Sequence, residues 1–278
     1  STKQLLLDGE DFGHWSFNYR TSEHGGRFED LEVSALGLQV AAGSLGEWHY
    51  RNGQHASRFA GDIVIDDLAK AQQNFGFASS IEGEGLKLAV DVSWDGSPAM
   101  VDIERVSGEV EISEGSGRFV QAETGGALKL LGIFDFASLA RRFRLDFSDV
   151  IDDGFEFADI QGVISFDEGE VVVQEPIVIN GSSGKFTVGG GMNIVSNTLD
   201  NDMIVTLPVG RTLPWYAAYS AIATGPLAGA GVMLAQKVFE NQINQMSSAK
   251  YKITGSIEEP EIQFVTIFND TVREALPE

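Results

Sequence analysis

Alternation between apolar and polar residues is the most regular feature of this sequence. Successive side chains of a strand point to opposite faces of its sheet, so a period of two predicts strands with one apolar face. The apolar positions of the clearest runs are Trp15, Phe17, Tyr19, Leu86, Leu88, Val90, Val92, Trp94, Val106, Val110, Ile112, Phe186, Val188, Met192, Ile194, Tyr251 and Ile253. The pattern therefore predicts a mainly β protein.

Short turn signals separate these runs. They are Arg51-Asn52-Gly53, Asp95-Gly96-Ser97-Pro98, Glu114-Gly115, Glu168-Gly169 and Asn180-Gly181. Gly and Asn tolerate the left-handed backbone that tight hairpins need. Together, runs and turns predict hairpins in a long, mostly antiparallel sheet.

Three segments change to a helical period: 65–77, 127–143 and 227–246. The first has Asp66 or Asp67 as its N-cap and is expected to be a short surface helix. The second has the spacing of a helix lying on a sheet, and the third is apolar early and polar late. We therefore expect a few helices near the middle and the C-terminus.

No Pro/Ser linker or charge run divides the chain, so we expect one region over 1–278, with a soft subdivision near 123–126. Asp and Glu number 41 against 19 Lys and Arg, which gives a net charge of -22 and disfavours nucleic acid as a partner. There is no Cys, which excludes disulfides, thiolate chemistry and Cys-ligated zinc.

Residues for catalysis or metal binding form no recognisable motif. The four histidines, His14, His24, His49 and His55, have no metal-ligand spacing. Acidic residues are so abundant that a glycosidase pair has no distinctive signal. The run Gly189–Gly191 lacks the Lys of a phosphate-binding loop, and close backbone approach explains it better. We therefore expect no enzyme, no cofactor and no metal.

The densest basic cluster consists of Lys129, Arg141, Arg142 and Arg144. These cations could contact lipid phosphates. Alternatively, they favour the C-terminal end of the predicted helix at 127–143 and pair with nearby aspartates. Both interpretations remain open.

Several segments resemble the C-terminal part of the YhdP subgroup of AsmA-like proteins. They are the block at 125–173, which includes LLGI, LARRF and LDFSDV, the small-residue stretch at 225–239, which ends in LAQKVF, YKITGSIEEPEI at 251–262, DFGHWSFNYR at 11–20 and Asp66-Asp67-Leu68. The resemblance covers nearly the whole chain. One departure is the turn at 180–184, Asn-Gly-Ser-Ser-Gly, where the resemblance leads us to expect a Gly-Pro-Ala-like turn.

The resemblance implies a large Gram-negative envelope protein, anchored in the inner membrane by an upstream helix that this chain lacks. It implies a long periplasmic sheet curled into an open, β-taco-like groove that moves phospholipid toward the outer membrane. It brings no catalytic residues and leaves any protein partner unknown. The chain begins without an initiator Met or a targeting stretch, so we expect it to be a piece of a longer protein.

On this basis the apolar face is expected to line the lipid groove. The predicted lining residues are Trp15, Phe17, Val90, Val92, Val110, Ile112, Ile164, Phe166, Val188 and Ile194. The same periodicity would also suit a closed sandwich core, which would favour an envelope-assembly scaffold. A β-rich carbohydrate-active enzyme is a third alternative.

An uncharged segment at 212–236 approaches membrane length, but Pro and Gly interrupt it. It could be a buried helical hairpin, a plug at the groove end or a piece inserted into the outer membrane. Aromatic residues near its start suit a membrane interface. The predicted membrane contacts are Trp215, Tyr216, Tyr219, Leu227, Met233 and Leu234.

Overall fold

A computed structural model describes most of the chain. The described residues are 1–7, 10–74, 79, 81–120, 155–182, 184–208, 246–257, 259–267 and 271–272. The predicted helices at 127–143 and 227–246 lie outside them, apart from Met246, with which a strand begins. The soft subdivision at 123–126, the basic cluster and the segment at 212–236 also lie outside.

The described residues form sixteen strands and one α-helix. The strands of the first half are β1 (Leu6–Leu7), β2 (Glu10–Asp11), β3 (His14–Ser22), β4 (Gly25–Ala35), β5 (Leu38–Arg51), β6 (Gln54–Ile65), β7 (Ile81–Glu84), β8 (Leu86–Asp95), β9 (Val106–Ser113) and β10 (Ser116–Phe119). Those of the second half are β11 (Phe155–Asp167), β12 (Glu170–Gly181), β13 (Gly184–Asn193), β14 (Thr198–Pro208), β15 (Met246–Gly255) and β16 (Pro260–Ile267). Helix α1 (Leu68–Asn74) joins β6 to β7.

Fourteen of the strands belong to one sheet, while β1 and β2 pair with each other. Twelve of them follow the order β16-β15-β14-β13-β12-β11-β9-β8-β6-β5-β4-β3, and every neighbouring pair is antiparallel. The other two are β10, which pairs with β11, and β7, which pairs with β10. The sheet is open, with β3 and β16 at its edges. This confirms the predicted long antiparallel β-sheet.

The predicted hairpins are partly confirmed. Asn52 and Gly53 turn β5 into β6 with φ values of 52° and 84°, the left-handed pair that a tight two-residue hairpin requires. Glu168 and Gly169 turn β11 into β12 in the same way. The turn predicted at Asn180-Gly181 lies slightly later in the chain. Both residues still belong to β12, and Gly181 pairs with Gly184 of β13.

The prediction of a hairpin at Glu114-Gly115 is wrong. These residues join β9 to β10, which do not pair with each other, because β9 pairs with β8 and β10 pairs with β7. Gly85 joins β7 to β8 beside the junction of β9 and β10. It also has a positive φ, which is 73° at Gly85 and 93° at Gly115. Two adjacent strands are thus interrupted at one level, but β11 pairs with both β9 and β10, so the sheet continues past this point.

Helix α1 confirms the short helix predicted within 65–77, over the shorter range Leu68–Asn74. The Lys70 backbone N–H donates to Asp67 Oδ1 at 2.9 Å, so Asp67 is the N-cap. Leu68 and Ala71 are buried, and Gln72 Nε2 donates to the carbonyl of Ile81 at 2.7 Å. The helix is thereby fixed to β7 at one end of the strands.

Candidate functional site

The apolar side chains of neighbouring strands lie on one face of the sheet, because cross-strand partners point the same way. Val110 of β9 pairs with Val90 of β8 and with Ile164 of β11. Ile164 in turn pairs with Val173 of β12. We call this side of the sheet the groove face.

The groove face is apolar across the whole sheet. One row of partners crosses from β3 to β9 and consists of Trp15, Val33, Val40, Ile63, Leu88 and Ile112. A second row crosses from β12 to β16 and consists of Ile177, Val188, Met203, Tyr251 and Phe264. Every strand on these paths therefore contributes apolar side chains to one continuous surface.

Nine of the ten predicted lining residues lie in strands, on the groove face. Val92 and Phe166 face the same way because both pair with Gly108. Phe17 contacts the ring of Phe28, at a centroid distance of 5.2 Å, beside Tyr19. Ile194 differs, since it lies in the turn after β13, where its N–H donates to the carbonyl of Gly169 at 2.7 Å. That these residues line a lipid path stays a prediction.

Burial varies along the groove face, and a small buried cluster of Leu31, Val33 and Val40 lies on β4 and β5. In β8, β9 and β11, side chains such as Val90, Val110 and Ile164 are half-buried. In β13 and β14, by contrast, Val188 is 1% exposed and Met203 is 0% exposed. The same alternation thus produces an accessible part of the face and a closed part.

Aromatic side chains extend the groove face at the hairpin ends of β3 to β6. Tyr19 packs on Phe28 with ring centroids 4.8 Å apart. Trp48 stacks on His55, and its Nε1 donates to His55 Nδ1 at 3.0 Å. Phe17 and Tyr19 remain 40% and 43% exposed. Sequence reasoning missed Phe28 and Trp48, because bulges in β4 and β5 interrupt the period of two.

The opposite face of the same strands carries alternating charges. Arg27 donates to Glu47 at 2.6 Å, and Arg58 lies 3.6 Å from Glu47 and donates to Asp91 at 2.6 Å. The hydrogen bond from Arg27 lowers the pKa of Glu47, and the one from Arg58 lowers the pKa of Asp91. The sheet is therefore amphipathic, with one face apolar and the other held in its charged state.

A second charged group lies on the back of β14 and β15. Asp202 is bound by Lys250 Nζ at 3.0 Å and Lys252 Nζ at 3.3 Å, and Lys252 also contacts Asp200. Burial opposes the ionisation of Asp202, but the hydrogen bond from Lys250 and the charges of both lysines outweigh it and lower its pKa. The two aspartates and the two lysines of this group therefore form ion pairs with each other.

Within the described ranges, no three His, Asp or Glu side chains converge as metal ligands would. In the same part of the chain, no helix has the length and apolar character needed to cross a bilayer.

The sequence of these strands matches a known family. The model of that family, described as YhdP protein, covers residues 1–262. The chain belongs to the YhdP family. Family membership confirms the resemblance on which the groove was expected.

A curated relative is 26% identical over 220 residues. It is the "Intermembrane phospholipid transporter YhdP" of Escherichia coli (strain K12). The match covers 79% of this chain but 17% of the relative, so the chain spans about a sixth of that protein's length. No solved structure matches the chain.

Proposed function

We propose that this chain shields the acyl chains of phospholipids while they pass between two membranes. The observation that carries the proposal is the groove face, a continuous apolar surface that is half-buried over β8, β9 and β11 and lies opposite a charged face. A large apolar surface that is left partly accessible commonly marks a binding site. The Escherichia coli relative is an intermembrane phospholipid transporter, which supports the same ligand.

The energy to be offset is large. Exposing acyl chains to water costs about 0.8 kcal/mol per CH₂, so two chains of about 16 carbons cost on the order of 25 kcal/mol. A continuous apolar face removes this cost without binding one lipid tightly, because every strand offers similar contacts. The charged headgroup stays in water beyond the strand ends, so its identity matters little to the face.

We place the chain in the periplasm, as one segment of a longer, inner-membrane-anchored transporter that carries out no catalysis. The short stretch of the relative that the chain matches supports the idea of a segment. The ten predicted lining residues would contact acyl chains. Lys129, Arg141, Arg142 and Arg144 would contact headgroups, and the segment at 212–236 would contact the outer membrane. Vesicle flotation of the intact chain tests that contact, and a chain that stays at the bottom of the gradient contradicts it.

Native mass spectrometry of freshly purified protein tests the groove directly. We expect phospholipid to remain bound through gentle desalting, and a lipid extract of the same sample to contain diacyl species. Protein that is consistently free of lipid, and that takes up none from phospholipid vesicles, would contradict the proposal and favour a scaffold.

A further inference from the structure

One polar side chain interrupts the apolar surface of β14. Asn201 pairs with Gly190 of β13 and with Ile253 of β15, so it lies on the groove face. It is 0% exposed, and its neighbours along the strand, Leu199 and Met203, are also buried. An amide therefore sits inside the closed part of an otherwise apolar surface.

This amide has no protein partner. Neither Nδ2 nor Oδ1 of Asn201 has a hydrogen-bond partner among the described residues, although both atoms are buried. Oδ1 lies 3.3 Å from the point where a Cβ would stand at Gly190, which has a φ of 111°. Buried polar side chains are nearly always hydrogen-bonded, because leaving one unpaired destabilises the folded state.

The residues on either side of Asn201 fix the face of the sheet to which its side chain points. Asp200 and Asp202 point to the back of the sheet, where Lys252 and Lys250 bind them. A strand cannot move one residue without exchanging its faces. These three ion pairs thus hold the register that directs Asn201 to the groove face.

We propose that Asn201 is a polar anchor for the ester region of a bound phospholipid, with Nδ2 donating to an ester carbonyl oxygen. This inference rests on the proposed lipid-binding function and deepens it. Because the amide is enclosed, a lipid reaches it when the apolar side chains around it move aside. Pairing with the ester then satisfies a group that is otherwise unpaired.

The position of Asn201 along the strand fits this role. It lies a few residues from the turn that begins β14, near one end of the strands. Toward the other end, the groove face offers Met203 and Val205 of β14 and Val188 and Phe186 of β13. The strand is about 17 Å long from Asn201 to Thr206. The acyl chains of one bilayer leaflet occupy a similar length, about 15 Å.

Competition between two lipids tests the anchor. The purified chain is equilibrated with vesicles that contain equal amounts of dipalmitoyl and dihexadecyl phosphatidylcholine. These lipids have the same headgroup and chain length, but the second has ether links and no carbonyl. Native mass spectrometry separates them by mass. We expect the unaltered protein to favour the ester lipid by about three- to tenfold, as a net hydrogen bond would.

Variants at one position identify the source of the preference. Asn201→Leu and Asn201→Ala should bind both lipids equally, and Asn201→Leu should melt no lower than the unaltered protein. Ile204→Val is the matched control, since it changes a buried side chain of the same strand on the opposite face of the sheet, and it should keep the preference. Two results overturn the anchor but leave lipid binding intact. In the first, Asn201→Leu binds ester and ether lipid in the same ratio as the unaltered protein. In the second, the unaltered protein itself binds the two lipids equally. Uptake of neither lipid overturns the proposed function together with the anchor.

Discussion

Placing one carboxylate in each part of the groove face separates an open groove from a closed core. The two positions are Val110, which is half-buried between Val90 and Ile164, and Val188, which is 1% exposed. Both are valines in strands that lie within the sheet, and both would become Asp. The variants differ in how easily the new charge reaches water.

The expected costs follow from that difference. At Val188 the carboxylate is enclosed, so the loss of apolar burial and the burial of a charge or an unpaired carboxyl destabilise the fold by at least about 4 kcal/mol. This is a large part of the total stability of about 5–15 kcal/mol for a typical protein. At Val110 the carboxylate reaches water and about half of the valine's burial is lost, which costs about 1–2 kcal/mol.

Thermal unfolding followed by circular dichroism measures the first effect, and the amount of phospholipid bound in native mass spectrometry measures the second. Val110→Asp should fold, melt about 2–6 °C lower and carry much less lipid, whereas Val188→Asp should be largely unfolded. Ser93→Asp is the control, because it adds the same charge on the opposite face, where Ser93 pairs with Arg58. It should change neither property.

Two results would refute this reasoning. If Val110→Asp unfolds as completely as Val188→Asp, the face of β8, β9 and β11 is part of a closed core. If Val110→Asp folds and carries as much lipid as the unaltered protein, the lipid does not contact this part of the face.

Three further predictions concern the frame that supports the groove face. Arg58 lowers the pKa of Asp91, so this pair stabilises the fold above the ordinary carboxyl pKa of 3.8 and less as pH falls through the lowered value. Arg58→Gln should remove less than about 1 kcal/mol at pH 7, and its effect should fade in urea titrations at acidic pH as both Asp91 and Glu47 become protonated; an effect that does not depend on pH would contradict the pair. Asp67→Ala should cost about 1 kcal/mol and speed amide exchange in α1, and unchanged exchange would contradict the N-cap. Gly190→Ala should lower the melting temperature, because φ is 111° and the new Cβ overlaps a carbonyl oxygen on β14, whereas Gly46→Ala meets its nearest neighbour at 3.4 Å and should be nearly neutral.

The sequence predicted best those strands in which every second side chain is apolar. Strand β8 is the clearest example, since Leu86 to Trp94 alternate without interruption and all pair in register with β6. Strand β4 was not predicted, because a bulge at Asp30, with a φ of 51°, places Phe28 and Leu31 on the same face three residues apart. Alternation identifies a strand only where the pairing is regular.

Strand β14 shows a second reason for failure. Asn201 is polar on the groove face, and Ile204 is apolar on the back, where it is 2% exposed. Both faces of this strand are covered, so its sequence does not alternate as a half-exposed strand does. The sequence analysis did not identify Asn201 as a candidate anchor, because it lies within the polar run at 200–202.

The choice between an open groove and a closed core could not be made from periodicity, because periodicity records which face is apolar and not how much of it is covered. Val110 and Val188 occupy equivalent places in the pattern, yet the first is half-buried and the second is enclosed. Under the proposed function, a lipid would lie on β8, β9 and β11 with little rearrangement, whereas in β13 and β14 it would have to displace buried side chains. A continuous path along the sheet would require both steps, so the closed part would set the barrier to movement. Asn201 lies in that part, where an ester that pairs with its amide would lower the free energy of the displaced state.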